Sequence, residues 1–95
     1  DRRRRLRKDF AIPIQIYSCA QWLSATALDI SPDGVRIRLE EEILLSKRVG
    51  LRIANRSETF GLRVCWSSGY EAGCAFLDTL DEHRYAKLVL DAVSA

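Results

Sequence analysis

The sequence has few of the residues on which catalytic and metal sites depend. It contains no Met, one His and three Cys in 95 residues. A single imidazole, that of His83, leaves too little material for a His-based triad or a Cys/His metal cluster. The three cysteines are far apart and odd in number, so they match neither a disulfide framework nor a zinc-ligand spacing. We expect buried free thiols, no catalytic residues, no metal site and no enzymatic activity.

Long apolar runs are also missing. No apolar stretch approaches the roughly 18 residues that cross a bilayer, and the N-terminus is charged where a secretory signal would be apolar. We therefore expect no transmembrane segment and a cytoplasmic protein, or a cytoplasmic domain of a larger one. Because the chain contains no Met, the sequence leaves open whether it is a full protein or a fragment.

Basic residues are concentrated at one end of the chain. Residues 1–8 hold six basic residues and one acidic residue, a net charge of +5, whereas the others hold nine basic and twelve acidic residues, a net charge of −3. Five of the six are arginines, whose planar guanidinium pairs with phosphate or with a guanine edge. This arm predicts an anionic partner. Composition alone leaves open a solvated end, a nucleic acid or an anionic lipid.

After the arm, apolar and polar residues alternate in short segments, which is the period of a half-buried β-strand. The apolar positions of three of these segments are Ile12, Ile14, Ile16, Val35, Ile37, Leu39, Val49, Leu51 and Ile53. Six such segments separated by turns predict a mainly β fold. We expect a small six-stranded antiparallel barrel, which closes on itself and so has no exposed sheet edges.

Two further segments make specific predictions. In the second segment of the chain, strict alternation puts Ala25 and Ala27 on one face. The opposite face of that segment then holds Ser24, Thr26, Leu28 and Ile30. In the fifth segment, Trp66 follows the apolar positions Phe60, Leu62 and Val64 in the same alternation, which favours a core position over one beside a ligand.

The period changes at the end of the chain. Thr79 and Glu82 have the spacing of a helix capping box, and apolar residues then recur at helical intervals. These are Tyr85, Leu88, Val89, Ala92 and Val93. We predict a C-terminal amphipathic helix at about residues 80–94. Residues 11–95 then form one barrel domain, and residues 1–10 form a flexible arm.

One turn carries chemistry as well as shape. Asp29-Ile30-Ser31-Pro32-Asp33-Gly34 lies between the second and third segments. The Asp29 carboxylate can accept from the N1 and N2 donors of guanine, the Ser31 hydroxyl can donate to phosphate, and Gly34 permits a sharp turn. The same residue types are common in ordinary turns, so an Asx-Ser turn that caps a hairpin is the alternative.

The arm and this turn together resemble the two motifs of the PilZ domain family, Arg-x-x-x-Arg and Asp/Asn-x-Ser-x-x-Gly. The second motif matches Asp29, Ser31 and Gly34 without departure. The first maps best to Arg3 and Arg7, because family members place the second Arg six residues before a Pro that opens a strand, as residue 13 does here. The likeness extends over nearly the whole chain. The family's Arg-Arg doublet, its fifth-strand Trp and its Gly-x-x-Phe pattern correspond to Arg2, Trp66 and Gly73-Cys74-Ala75-Phe76.

The resemblance implies a bacterial receptor for the second messenger cyclic di-GMP, often bound as an intercalated dimer, with the arm closing over the ligand. The ligand-binding residues that it implies are Arg2, Arg3, Arg7, Asp29, Ser31 and Gly34. Further candidates are Arg4, Arg38, Trp66 and Gly73: several registers of the arginine run fit the motif, and Arg38 closely follows the turn. The signal would pass to a downstream protein or to a covalently linked domain.

Two other functions remain open. A small barrel with a basic arm could bind RNA or single-stranded DNA. However, the chain after the arm is acidic, and we expect no stripe of exposed aromatic residues, so no DNA or RNA partner is predicted. Family members that lack the motifs act as protein-interaction modules, whereas both motifs are intact in this chain.

Overall fold

A computed structural model describes residues 11–53 and 56–94. Within these ranges the chain forms six strands and one helix. They are β1 (Ile12–Ser18), β2 (Gln21–Ile30), β3 (Gly34–Leu39), β4 (Arg48–Ile53), β5 (Thr59–Ser68), β6 (Glu71–Phe76) and α1 (Glu82–Ser94). In the described ranges, no helix has both the length and the apolar character needed to cross a membrane.

The strands form one closed barrel. They pair antiparallel in the order β1-β2-β3-β6-β5-β4, and β1 also pairs with β4. This confirms the predicted fold, a mainly β six-stranded antiparallel barrel with a C-terminal helix. Because each described strand is paired on both sides, side chains on the outer surface are held at fixed cross-strand spacings.

The core follows from strict alternation in most of the strands. Every apolar position predicted to face inward on β1, β3 and β4 is buried, and β-branched side chains suit such a pleated, half-buried surface. The largest fully buried side chains are Ile16, Ile30, Ile37, Leu51, Ile53 and Leu62. These residues form one continuous core with apolar residues of β6 and α1.

β2 departs from strict alternation near its end. Its pairing with β3 shifts by one residue between Ala27 and Asp29, so Leu28 is an extra residue on β2. Such a β-bulge reverses the alternation that follows it. Ile30 therefore points into the core, and Asp29 faces outward. The prediction that Ile30 shares a face with Thr26 is wrong for this reason.

A second bulge lies on β5. The pairing with β6 shifts between Val64 and Trp66, which leaves Cys65 as the extra residue. Trp66 consequently faces outward, and 46% of its surface is exposed. The predicted core position of Trp66 is wrong, because the alternation that begins at Phe60 ends at the bulge.

The start of α1 also differs from the prediction. The Asp81 carboxylate accepts a hydrogen bond from the backbone N–H of Arg84 at 2.7 Å, which is the contact of an N-cap residue. The helix begins at Glu82. The predicted capping box that starts at Thr79 is therefore wrong by two residues.

α1 covers one end of the barrel and fixes the end of β2. Leu88 and Ala92 belong to the common core, and the Tyr85 hydroxyl donates to the carbonyl of Ile30 at 3.2 Å. Burial raises the pKa of Tyr85 above its usual value. The helix thus holds the chain just before the turn that joins β2 to β3.

A two-residue turn, Cys19-Ala20, joins β1 to β2, and the flanking residues Ser18 and Gln21 pair with each other. Cys19 and Ala20 both have positive φ, 52° and 65°. Positive φ at both central positions is the geometry of a type I′ hairpin turn, which favours Asn and Gly. A side chain with a Cβ is disfavoured in this conformation, so this turn is strained.

Candidate functional site

Four outward-facing residues lie side by side on four neighbouring strands. Asp29 of β2 pairs with Arg36 of β3, Arg36 pairs with Gly73 of β6, and Gly73 pairs with Trp66 of β5. We call these four residues the cross-strand row. Asp29 and Trp66 belong to the row because each follows a bulge. The bulges on β2 and β5 therefore both place a side chain in the cross-strand row.

Arg36 orients the carboxylate at one end of the row. Its Nε donates to Asp29 Oδ2 at 2.9 Å, and its Nη1 donates to Glu71 Oε1 at 3.0 Å. The hydrogen bond to Asp29, together with the charges of Asp29 and Glu71, raises the pKa of the Arg36 guanidinium. The Asp29 side chain is 15% exposed. A carboxylate offers about four lone-pair sites, so a group of this kind can accept hydrogen bonds from more than one donor at once.

Trp66 rests on Gly73 at the other end of the row. A Cβ built on Gly73 would overlap the indole nitrogen of Trp66. Only a residue without a side chain lets the indole approach the backbone of β6 this closely. Gly73 is buried beneath the ring while Trp66 remains about half exposed. The ring therefore forms a flat apolar wall of fixed position.

The turn between β2 and β3 is closed by its own serine. The Ser31 Oγ accepts hydrogen bonds from the backbone N–H groups of Asp33 and Gly34, both at 3.3 Å. The Ser31 backbone N–H donates to the Gly34 carbonyl at 2.9 Å. The Ser31 hydroxyl donates to that same carbonyl with its Oγ 3.5 Å from the carbonyl oxygen, the outer limit of hydrogen bonding. Ser31 thus shapes the turn and retains a proton that a better acceptor can attract.

Backbone hydrogen bonds from the end of β6 and from the segment before α1 also hold the turn between β2 and β3. The N–H of Phe76 donates to the Asp33 carbonyl at 2.8 Å, and the N–H of Leu80 donates to the Pro32 carbonyl at 3.0 Å. A Cβ built on Gly34 would overlap the Cys74 carbonyl oxygen, so only Gly permits the observed approach of β3 to β6. The position of this turn is therefore set by the barrel.

The cross-strand row and the turn enclose a groove of about 480 Å³. Its lining residues are Asp29, Ile30, Ser31, Asp33, Gly34, Val35, Arg36, Cys65, Trp66, Gly73, Cys74 and Ala75. The volume lies in the range of about 300–1,000 Å³ that is typical of small-molecule sites. The groove has an anionic acceptor at one end and an aromatic surface at the other, so it suits a ligand with donor groups on a planar ring.

The comparisons with known proteins agree with this architecture. The family model described as PilZ domain matches residues 1–90 of the chain. The chain belongs to the PilZ domain family. No curated protein matches the sequence. Among solved structures, the PilZ domain of a cellulose synthase from a cellulose-synthesising bacterium is similar, with a TM-score of 0.64 and 11% identity over 92% of this chain and 94% of that one. A Legionella protein described as uncharacterized has a TM-score of 0.50 and 19% identity over 85% of each chain.

The groove brings together most of the candidate residues of the PilZ motifs that the structure describes. Asp29, Ser31, Gly34, Trp66 and Gly73 all line it. The arginines Arg2, Arg3, Arg4 and Arg7 lie outside the described residues, so their roles stay predictions. Arg38 is not part of the groove lining. Its side chain is 62% exposed and lies 3.9 Å from Glu71.

Sequence reasoning missed Arg36 in the groove lining and Glu71, which accepts a hydrogen bond from it. Neither was among the candidate residues. A cross-strand register would have identified both, because it places Arg36 opposite Asp29 and Arg38 opposite Glu71. Four aromatic residues are exposed, Tyr17, Trp22, Trp66 and Tyr70, and two of them, Tyr17 and Trp22, pack against each other.

The titratable residues of this PilZ domain show no metal-binding arrangement in the ranges that are described. No group of three or more His, Cys, Asp or Glu side chains converges there. The prediction of buried thiols is confirmed for Cys74 and is wrong for Cys19 and Cys65, which are exposed. Cys65 and Cys74 both line the groove. Burial, with a smaller effect of Cys65, raises the pKa of Cys74 to about 11, so Cys74 is a protonated packing residue at neutral pH.

Proposed function

We propose that this PilZ domain is a receptor for cyclic di-GMP in the bacterial cytoplasm, and that it is a binding module rather than an enzyme. The observation that carries the proposal is that all three residues of the second motif line the groove that Trp66 closes. Acceptor, turn and aromatic wall are held at fixed positions by the barrel. The ligand needs donors on a planar base and phosphates beside it, and a guanine dinucleotide has both.

The guanine end of the ligand matches the Asp29 carboxylate. Guanine presents N1–H and N2–H donors on one edge, and a carboxylate accepts two parallel hydrogen bonds. Arg36 holds the carboxylate in place through the hydrogen bond from its Nε to Asp29 Oδ2 at 2.9 Å. The exposed face of Trp66 offers stacking, which contributes about 1–3 kcal/mol per base in other nucleic-acid complexes.

The phosphates of the ligand match the arginine-rich arm. We assign Arg3 and Arg7 to guanine edges and phosphates, with Arg2 beside them and Arg4 as the alternative register. Guanidinium groups bind phosphates and the O6/N7 edge of guanine bidentately. The Ser31 hydroxyl proton, weakly held by the Gly34 carbonyl, is available to a phosphate or sugar oxygen.

Binding would order the arm over the barrel and so change the shape of the domain. A segment that becomes ordered on binding converts occupancy into a new surface. We propose that a downstream protein or a covalently linked domain reads that surface. An intercalated ligand dimer would present two further guanines, which the arm could contact from outside the groove.

Calorimetric titration with cyclic di-GMP tests the proposal, with cyclic di-AMP as the control ligand. Both ligands carry two phosphates, but adenine lacks the N1–H and N2–H donors that Asp29 would bind. We expect saturable binding of cyclic di-GMP with a dissociation constant of tens of micromolar or below, a ΔG of about −6 kcal/mol or stronger. Cyclic di-AMP should bind much more weakly.

Three variants and one control locate the site. Asp29→Ala, Arg3→Ala and Arg7→Ala should each weaken binding, by about tenfold or more, because each leaves a donor or an acceptor of the ligand unpaired. Arg63→Ala is the matched control, since Arg63 is exposed and does not line the groove. If the wild type binds no cyclic di-GMP at tens of micromolar, the receptor proposal fails, and the protein-interaction role of motif-free family members becomes the better account.

A further inference from the structure

A second face of the barrel carries exposed aromatic residues that the groove does not use. Tyr17 of β1 and Trp22 of β2 pair directly across the two strands, with ring centroids 5.0 Å apart. Their surfaces are 43% and 37% exposed. Arg52 of β4 lies over the Trp22 ring, with its guanidinium carbon 3.9 Å from the ring centroid. Trp, Tyr and Arg are the residue types that contribute most at protein interfaces.

Arg52 is held in position on this face. Its Nε and Nη2 donate to Gln15 Oε1 at 3.0 and 2.8 Å. Stacking on Trp22 and bonding to Gln15 restrict the rotamers of the side chain before any partner binds, which lowers the entropy cost of an interface. Across residues 11–53 and 56–94, no carboxylate pairs with Arg52.

A negative charge lies further along the same cross-strand direction, in the lining of a cleft. Gln15 pairs with Arg52 on β4 and with Ser24 on β2. Gln15, Ser24 and Glu40 all line a cleft of about 380 Å³. Glu40 is exposed and has no ion-pair partner in the part of the chain that the structure covers. From β4 across β1 and β2, the outer surface therefore carries a positive charge at Arg52, neutral residues in the middle and a negative charge at Glu40.

We infer that this face is a dimer interface between two copies of the chain. A two-fold axis through the cleft, between Gln15 and Ser24, would set Arg52 of one copy against the partner's Glu40, and by symmetry the same pair forms a second time. An interface of this kind uses one self-complementary patch on both subunits. It gives both charges a partner and covers Trp22.

The occupant is a second copy because both members of the charge pair belong to one face. A different acidic protein would pair with Arg52 but would leave Glu40 facing its own negative charge. The interface uses residues of β1, β2 and β4 together with Glu40, which directly follows β3, whereas the groove is lined by other residues of β2 and β3, by β5 and β6 and by the turn between β2 and β3. Dimerisation is therefore separate from ligand binding, and each is tested without the other.

Sedimentation velocity of the full chain at low salt tests this inference, over protein concentrations of about 10 µM to about 1 mM. We expect the weight-average mass to rise from that of one chain, 10.8 kDa, toward twice that value. Arg52→Glu alone and Glu40→Arg alone should each weaken the dimer by about tenfold or more, because each places like charges in contact. The double variant, Arg52→Glu with Glu40→Arg, should recover the dimer.

An equimolar mixture of the two single variants gives an independent readout. Each of its heterodimer contacts joins opposite charges, so the mixture should associate where neither variant does alone. Arg63→Glu and Glu82→Arg are the matched controls, since both residues are exposed and lie on elements outside the interface, Arg63 on β5 and Glu82 on α1. Glu40→Gln keeps the size of the side chain and Arg52→Gln shortens it; both remove a charge without reversing it, and they replace either reversal if it fails to fold.

Three results would overturn the inference. The wild type could keep the mass of one chain at every concentration. It could dimerise while both single reversals leave the dimer unchanged, which would place the interface on another surface. The double variant could stay as weak as the single ones, which would show that Arg52 and the partner's Glu40 do not meet.

Discussion

Arg36 and Asp29 lie directly opposite each other on β3 and β2, and Arg36 is the only side chain that links the Asp29 carboxylate to Glu71 on β6 among the contacts of the described residues. The acidic residue of the PilZ motif thus depends on a basic residue outside that motif. Because Arg36 spans β3 and contacts both neighbouring strands, it sets the direction in which the Asp29 oxygens face the groove.

Arg36→Lys should therefore weaken cyclic di-GMP binding without direct contact to the base. A lysine keeps the charge but loses the planar fork whose Nε and Nη1 bond Asp29 and Glu71 from two different nitrogens. We expect a loss of about tenfold, or about 1.4 kcal/mol of binding free energy. Loss of a partly exposed ion pair should lower the free energy of unfolding by at most about 1 kcal/mol. Arg38→Lys, two residues further along β3, is the control. Calorimetry compares the dissociation constants of the two variants for cyclic di-GMP. Equal binding by both variants would contradict the positioning role.

The glycines Gly73 and Gly34 should respond differently to Ala. In Gly73→Ala the new methyl group meets the Trp66 indole, which can swing away, so the fold should survive while the groove loses its wall. In Gly34→Ala the methyl group meets the backbone of Cys74, which cannot move aside. Overpacking of this kind lowers the free energy of unfolding by about 1–3 kcal/mol.

Two measurements separate these effects. Urea unfolding reports stability, and the fluorescence of Trp66 in a Trp22→Phe background reports the position of the indole. In that background, Gly73→Ala should change the emission and weaken ligand binding. When Gly73→Ala is added to Trp66→Ala, binding should fall no further than in Trp66→Ala alone, because the indole that the new methyl group would meet is absent. Additive losses in the double variant would disprove the steric account.

Alkylation of Cys65 should block the groove. Cys65 is exposed within the groove lining, whereas Cys74 is buried with its pKa raised to about 11, and only a thiolate reacts readily. In Cys19→Ser protein, a bulky maleimide should therefore attach once at pH 7 and abolish cyclic di-GMP binding. Cys65→Ser protein is the matched control: the same reagent attaches to the exposed Cys19 at the opposite turn and should leave binding intact. Mass spectrometry verifies the sites. Retained binding after Cys65 alkylation would exclude the groove as the ligand site.

Ala20→Gly should stabilise the fold. Ala20 has a φ of 65° in the hairpin between β1 and β2, and the left-handed region costs a residue with a Cβ about 1–2 kcal/mol. Glycine loses part of this gain to its greater freedom when unfolded, so we expect about 0.5–1 kcal/mol of added unfolding free energy. Ala86→Gly, on the exposed face of α1, should instead destabilise by about 1 kcal/mol. Urea unfolding compares both with the wild type, and a destabilised Ala20→Gly would show that the turn carries no strain.

Much of the fold could be predicted from the sequence because most strands alternate without interruption. The inward residues of β1, β3 and β4 follow from a period of two, and the number of alternating segments predicts a closed barrel. Ile30 and Trp66 were placed wrongly for one reason. A bulge is set by the pairing between strands, and the alternation of apolar and polar residues around Leu28 or Cys65 does not predict it.

Only the residues of the candidate site that belong to the sequence motifs could be predicted. Asp29, Ser31 and Gly34 were identified from their spacing, and the groove lining includes all three. Arg36 was missed because its importance comes from two residues far from each other in the chain, Asp29 and Glu71. Local propensity likewise favoured Thr79 as a cap, whereas the end of β6 and the turn residue Pro32 fix where the helix can begin.

The extra residues Leu28 and Cys65 also bear on how relatives of this domain are recognised. A single-residue deletion at either place would restore a regular strand and still leave Asp29 or Trp66 on the outer surface, because each bulge adds one residue before the row. The number of residues between Pro13 and Asp29, or between Leu62 and Trp66, can therefore differ by one between chains with the same groove. A search that fixes these spacer lengths would miss such relatives.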